Sequence, residues 1–277
     1  MTPRKGASHD RRGSQGASHD RRGGRGSAHD QRVRRATIAI GGRRAVAEAI
    51  RSGQARRVLV AKGSHSTEGL NAVIVEAERA PLAIEYVDPS DVDALGLGDH
   101  QGVVAFVTPP RELDERGLRD STFEPNALVV VLDGIEDPQN FGACARSAEA
   151  AGASLLVTRK KRAAPSTSAA IRSSAGALLH LRVARVANLV RTIELLQGRG
   201  FFAVGLDHRA TTDVNVAEAP PHPLALVVGS EEAGLSRLVR ERCDLLVAIP
   251  MHGRTESLNA AAALAVVLFG YALRPPG

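Results

Sequence analysis

The chain has 277 residues, enough for two domains with appendages, and its 43% hydrophobic and 24% charged residues are the balance of a chain that buries a real core. That balance excludes collagen, coiled coil and wholesale disorder, and no apolar stretch reaches the ~18 residues of a membrane span. Cys144 and Cys243 are the only two cysteines, too few for a disulfide framework or a cysteine metal cluster. With no secretory pattern at the start, a reducing cytoplasm is the expected location and no membrane partner is expected.

The formal charge of +6 is unevenly placed. Residues 1–35 hold ten Lys and Arg against three Asp, a net +7, so the other 242 residues carry −1. This stretch repeats Gly-Ala-Ser-His-Asp-Arg-Arg-Gly from Gly6 and again from Gly16. It has no apolar periodicity to offset the entropy of ordering it, so a disordered basic tail is expected, either a solvated leader or a nonspecific phosphate-binding arm. Its His-Asp pairs make a poor metal site on such a chain, and no metal is expected.

From Thr37 the pattern changes. Ala45, Val46, Ala49 and Ile50 mark one helical face, and an apolar strand is expected over 58–61. A helix over 70–79, a strand over 84–87, a helical turn over 91–95 and a strand over 103–107 complete a small α/β domain, 36–108. His100, beside Gly96, Gly98 and Gly102, reads as a turn histidine. Pro109, Pro110 and Pro125 amid dense charge predict a linker over 109–126.

Beyond it, a second domain, 127–277, is expected. Apolar strands are expected over 127–132, 154–157, 201–206, 224–228 and 245–249, with helices over 141–151, 188–197, 236–242 and 258–273. Continuously apolar strands between helices predict a parallel sheet covered on both faces, with its site at the carboxyl ends of the strands. The last helix, apolar all round, is expected to be buried.

Three strands end in polar, glycine-rich loops. In the first, Pro138 keeps Asp137 out of the helical region, Asn140 is placed to cap the next helix, and Arg146 stands in an otherwise small, apolar helix where a permanent cation needs an anionic partner. The second runs from Gly229 through Glu231 and Glu232 to Gly234. The third, from Ile249 to Asn259, ends with Ser257 as a plausible cap. The run Arg159-Lys160-Lys161-Arg162 is the densest basic cluster outside the tail and favours phosphate contact, with Arg172 as an extension. No Gly-x-Ser-x-Gly elbow, Walker loop or His-Glu-x-x-His occurs, and the scarcity of aromatics argues against base stacking on an open sheet.

The segments Asn140 to Arg146, Gly229 to Gly234 and Ile249 to Asn259, in this order, resemble the three signature motifs of the SpoU or TrmH family of RNA ribose 2'-O-methyltransferases in the SPOUT superfamily. Residues 37–107, with His100-Gln101-Gly102-Val103, are similar to the RNA substrate-binding domain of bacterial 23S ribosomal RNA guanosine methyltransferases. The resemblance implies a trefoil-knotted α/β methyltransferase domain, a homodimer, and S-adenosylmethionine held through the backbone at positions matching Gly229, Ile249 and Leu258. It implies that Asn140, Arg146, Glu231, Ser257 and Asn259 form the catalytic set and that the partner is RNA rather than DNA. The implied activity is methylation of a guanosine ribose in 23S ribosomal RNA. Transfer RNA, or an antibiotic-site nucleotide of ribosomal RNA, stands as the alternative target, and a noncatalytic ribosome assembly factor as the alternative of another class.

Overall fold

The computed structural model describes residues 37–161, 163, 166–255 and 257–273. The basic tail over 1–35 lies outside the described residues, as does Arg162 of the basic run.

The first unit consists of β1 (Ile38–Gly41), α1 (Arg43–Arg51), β2 (Ala55–Ala61), α2 (Glu68–Arg79), β3 (Ile84–Val87), α3 (Pro89–Asp93) and β4 (Val103–Val107). The sheet order is β1-β4-β2-β3, with β4 antiparallel to both neighbours and β2 parallel to β3. Helix α1 buries Ala45, Val46, Ala49 and Ile50, the face its spacing predicts. His100 closes a turn, with Nε2 2.9 Å from Asp93 Oδ1 and Nδ1 accepting from the Gly102 amide at 3.1 Å.

Within the expected linker, residues 112–113 join the second sheet. The linker contains β5 (Glu112–Leu113) and α4 (Glu115–Arg119), capped by Asp114. Strand β5 lies parallel to β8 (Val183–Val186), and Arg185 Nε donates to Glu112 at 2.6 Å. A strand of two residues is held by its neighbour and is too short to show hydrophobic alternation.

The remaining elements are β6 (Leu128–Asp133), α5 (Pro138–Ala150), β7 (Leu155–Arg159), α6 (Ser168–Ser173), β8, α7 (Leu189–Gln197), β9 (Phe202–Leu206), β10 (Thr212–Asp213), β11 (Leu224–Gly229), α8 (Arg237–Arg242), β12 (Leu245–Ala248) and α9 (Ala260–Val267), which runs on into a π-helical turn (Leu268–Ala272). The sheet order is β10-β12-β9-β11-β6-β7-β8-β5, parallel at every pairing. Both faces are covered. Leu128, Val130 and Leu132 pack on the side of α5 and α9, while Val129 and Val131 face the opposite layer with Leu189 and Ile193 of α7. Helix α9 with its π-turn is only half buried, because Leu264, Val267, Leu268 and Tyr271 point inward while Val266, Phe269 and Leu273 are exposed.

The two units share one core. Ile40, Ala45 and Ile50 of the first and Ile171, Leu178 and Leu179 of the second belong to a single buried cluster. Across this seam His180 Nε2 lies 2.7 Å from Glu48 Oε1, and the Gln54 side-chain amide donates to the Leu179 carbonyl.

Candidate active site

Four strands adjacent in the sheet, β12, β9, β11 and β6, send their carboxyl ends to one edge, where the order reverses between β6 and the returning β9 and β11. Crevices form at such switch points because connections leave to opposite sides. The residues that follow these strands build the site.

After β6, Asp137 rather than Asn140 caps α5. Its backbone is extended (φ −74°, ψ 127°), Pro138 fills the first turn, and the carboxylate accepts from the Asn140 amide at 2.7 Å. Capping by Asp137 frees the Asn140 side chain. Likewise Asn259 rather than Ser257 caps α9, its Oδ1 accepting from the amides of Ala261 and Ala262 at 3.0 and 3.4 Å. In both cases the cap is the residue directly flanking the first helical turn, a register the sequence alone left ambiguous by two or three positions.

After β11 the chain doubles back so that Ser230 bridges Gly234. A Cβ at Gly229 would fall on the Gly234 carbonyl and the Leu235 amide, so only glycine allows this approach. The turn delivers Glu231. Its Oε1 accepts from Asn140 Nδ2 at 3.0 Å, from the Asn259 side-chain amide, and from the Ala260 backbone amide at 3.3 Å, while Asn259 Nδ2 also reaches Asn140 Oδ1 at 3.0 Å. Residues from three separate loops thus converge on one carboxylate oxygen. The donors leave Oε2 without a partner among the described residues.

Arg146 is not in this cluster. It lies six residues beyond Asn140 on α5, about 240° around the helix and ~9 Å along it, so the two side chains leave from different sides. It is exposed, has no ion pair or hydrogen bond to another described residue, and lines a second cavity toward the first unit. Within one chain, therefore, Arg146 does not meet Glu231.

Glu231 instead borders a cavity enclosing about 590 Å³ of free space, mouth included. Gly229, Ile249, Leu258 and Ser257 line it, along with Val228 and Ala263. Asp207 and His208, which follow β9, also line it; sequence reading missed them, although polar residues directly after an apolar strand are the same signal that marked the other three loops. Asp207 is fully buried. Burial pushes its carboxyl up, but hydrogen bonds from the Arg209 side chain and backbone amide, together with the charges of Arg209 and Arg240, outweigh it and hold the group below the usual carboxylate range.

Asp133, at the end of β6, braces the floor. It is 3% exposed, accepts from the Ser236 amide at 2.8 Å and pairs with Arg159 at 2.7 Å. Arg159 is thereby taken up internally rather than offered to phosphate, while Lys160 and Lys161 are exposed. Arg172 does not extend that run; it faces the first unit and donates to the Leu97 carbonyl at 2.5 Å. Cys144 is buried on the inner face of α5, and burial, then the Glu231 charge, push its thiol up to about 12. Among the described residues no group of three or more His, Cys, Asp or Glu could hold a metal ion, and no helix is long and apolar enough to cross a membrane.

Comparison with known proteins matches these two units. Residues 127–269 fit the model of the SpoU rRNA methylase family, and residues 39–113 fit the RNA 2'-O ribose methyltransferase substrate-binding domain. A protein of Staphylococcus saprophyticus assigned to the TrmH family of tRNA/rRNA methyltransferases is 35% identical over 234 residues, 84% of this chain and 94% of its own. YacO of Bacillus subtilis, assigned to the same family, is 36% identical over 82% of this chain and 92% of its own. Among solved structures, an RNA 2'-O ribose methyltransferase superposes with a TM-score of 0.71 at 28% identity over 87% of this chain and 90% of its own. The SpoU methyltransferase AviRb of Streptomyces viridochromogenes, crystallised with AdoMet, gives 0.67 at 28% identity over 88% and 92%. Fold and comparisons define an RNA ribose 2'-O-methyltransferase. More narrowly, the chain belongs to the SpoU rRNA methylase family, also called TrmH.

Proposed function

We propose that the protein, as a homodimer, transfers a methyl group from S-adenosylmethionine to the ribose 2'-hydroxyl of a guanosine in 23S ribosomal RNA. The observation that carries this reading is the Asn140–Glu231–Asn259 cluster at the border of the cavity lined by Gly229, Ile249 and Leu258. The cavity suits the cofactor: its apolar side chains can enclose an adenine, and because Asp207 is already engaged by two arginines, recognition falls to the loop backbones that the close turn at Gly229 brings together. When bound, the cofactor supplies a methyl group already activated by sulfonium.

The protein must then activate a poor nucleophile. Glu231, fixed by two asparagine amides, orients the ribose through its free oxygen, and Asn140, Ser257 and Asn259 align sugar and phosphate. Arg146 stabilises the developing alkoxide as a cation. Because Arg146 is remote from its own chain's cluster, it serves the cluster of a second copy. The exposed Val266, Phe269 and Leu273 face supplies an apolar surface for that contact. In this reading residues 36–108 bind RNA, residues 127–277 form the methyltransferase unit, and the C-terminal segment is threaded as a trefoil.

Mass spectrometry of digested rRNA and tRNA from strains with and without the protein tests the assignment. Loss of one guanosine 2'-O-methyl from 23S ribosomal RNA is expected. A ribose methyl lost from tRNA would move the target, and a lost base methyl would overturn the chemistry.

A further inference from the structure

Between the two units lies an open cleft of about 1520 Å³. Arg43, Arg44, Arg146 and Arg172 line it against only two carboxylates, Glu68 and Asp99. The four arginines are not equivalent. Arg43 is spent inside its own unit, donating to the Gln101 carbonyl at 3.3 Å and to the Thr67 hydroxyl. Arg172 straps the units together: its methylenes lie against Gly42, its guanidinium lies against Gly98, and it donates to the Leu97 carbonyl. Arg44 and Arg146 have no ion pair or hydrogen bond to any described residue, and both are exposed. One stands on α1 of the first unit, the other on α5 of the second.

Two permanent cations with no counter-ion among the described residues, facing one cleft from two units that share a core, suit a polyanion long enough to touch both. Resting on the function proposed above, we infer that the RNA strand beside the target nucleotide runs through this cleft, and that Arg44 is a positioning residue which grips its backbone phosphate. The docking of the two units, fixed by the Arg172 strap and the Glu48–His180 pair, then sets the distance between the gripped phosphate and Arg146. A separate, freely swinging substrate-binding domain would leave that distance undefined. The aromatic-free lining fits phosphate contact in preference to base stacking.

The full chain and its Arg44→Gln, Arg44→Lys and Arg116→Gln variants test this. Arg116 is an exposed arginine on α4 outside the cleft, paired with Asp120 at 3.7 Å. Binding of a fluorescein-labelled single-stranded oligouridylate is followed across a salt series, and methyl transfer is measured on total RNA from a strain lacking the protein. Arg44→Gln is expected to raise KM for RNA several-fold with a smaller effect on kcat, and to reduce the slope of log K against log salt by about 0.7, one single-strand phosphate contact. Arg44→Lys should restore the slope and Arg116→Gln should leave both quantities unchanged. If Arg44→Gln behaves like Arg116→Gln, the inference is wrong. If the unaltered protein methylates none of that RNA, the proposed function fails instead, and the salt series still judges the cleft.

Discussion

Asn140 and Glu231 stand 91 residues apart in sequence, yet the amide of the first donates to the carboxylate of the second at 3.0 Å. The contact exists because β6 and β11 are neighbours in register, with Asp133 opposite Gly229, so that the turns leaving them are side by side. Hydrogen bonds to an ionised acceptor contribute about 1.5–3 kcal/mol each, enough to hold an exposed side chain in one orientation. Glu231→Gln keeps the shape and removes the charge. Methyl transfer at saturating substrate should fall on the order of 10²-fold while calorimetry shows cofactor binding largely retained. Equal losses of both would make Glu231 part of the cofactor site rather than the ribose site.

Arg146→Ala should reduce methyl transfer by about 10²–10³-fold. Arg146 is exposed and unpaired among the described residues, and alanine is a good helix former, so thermal stability should be unchanged. Cofactor affinity should also hold, because Arg146 does not line that cavity. Joint loss of stability and activity would assign it a structural role.

Apolar strands and long amphipathic helices were legible because burial imposes a period on the sequence. Leu224 to Val228 and Ala45 to Ile50 needed no tertiary information. The elements that escape are short ones held by their neighbours: β5 and β10 with two residues each, α4 with five, the edge strand β1, α6 after the basic run, and β8 between short turns. The site loops are visible as polar glycine-rich breaks after strands, yet the fourth, from Asp207, carries no such mark, since its one nearby glycine, Gly205, lies inside β9 and none follows Asp207 before Asp213. The caps lie three residues before Asn140, at Asp137, and two residues after Ser257, at Asn259. Several Asn, Asp and Ser compete near each helix start, and only the backbone decides among them. The position of Arg146 away from Glu231 was invisible to motif reading, since it depends on the angular step of α5.

Gly229→Ala places a methyl group where the Gly234 carbonyl and Leu235 amide already stand. Both obstacles are backbone, so relief requires moving the whole 230–234 turn. A destabilisation of about 1–3 kcal/mol follows from overpacking, seen as a lowered Tm. Cofactor binding should be lost even below the transition, because the turn forms the cavity wall. Retained affinity would show that the turn can shift without cost to the cavity.

Cys144 has a thiol pushed up to about 12 by burial and by the Glu231 charge, from an ordinary value of 9.0. A group whose folded value lies above its unfolded one contributes stability below the unfolded value and loses it as pH rises. Stability should therefore decline from about pH 9 toward 12, where the unfolded chain ionises and the folded one does not. Denaturant midpoints for Cys144→Ala should decline less steeply over that range, with Cys243, similarly pushed up to about 12, supplying part of the remaining slope. The native thiols should also resist iodoacetamide at neutral pH and react once urea unfolds the chain.

The separation of Arg146 from the Asn140–Glu231–Asn259 cluster makes the proposed dimer testable without knowing its structure. Arg146→Ala and Glu231→Gln each remove one half of the chemistry. If a site takes Arg146 from one chain and Glu231 from the other, a mixed dimer of the two inactive variants contains one site with both residues intact and one with neither. Random re-pairing makes half the dimers mixed, so about a quarter of the unaltered activity should return when the variants are unfolded and refolded together. Adding Phe269→Asp to both partners should abolish the rescue and convert the protein to monomers in sedimentation, since Phe269 is 54% exposed in the single chain and its substitution does not disturb the core. No recovery from dimers shown to have exchanged would mean that each chain completes its own site, with Arg146 reaching the cluster only after RNA has closed the cleft.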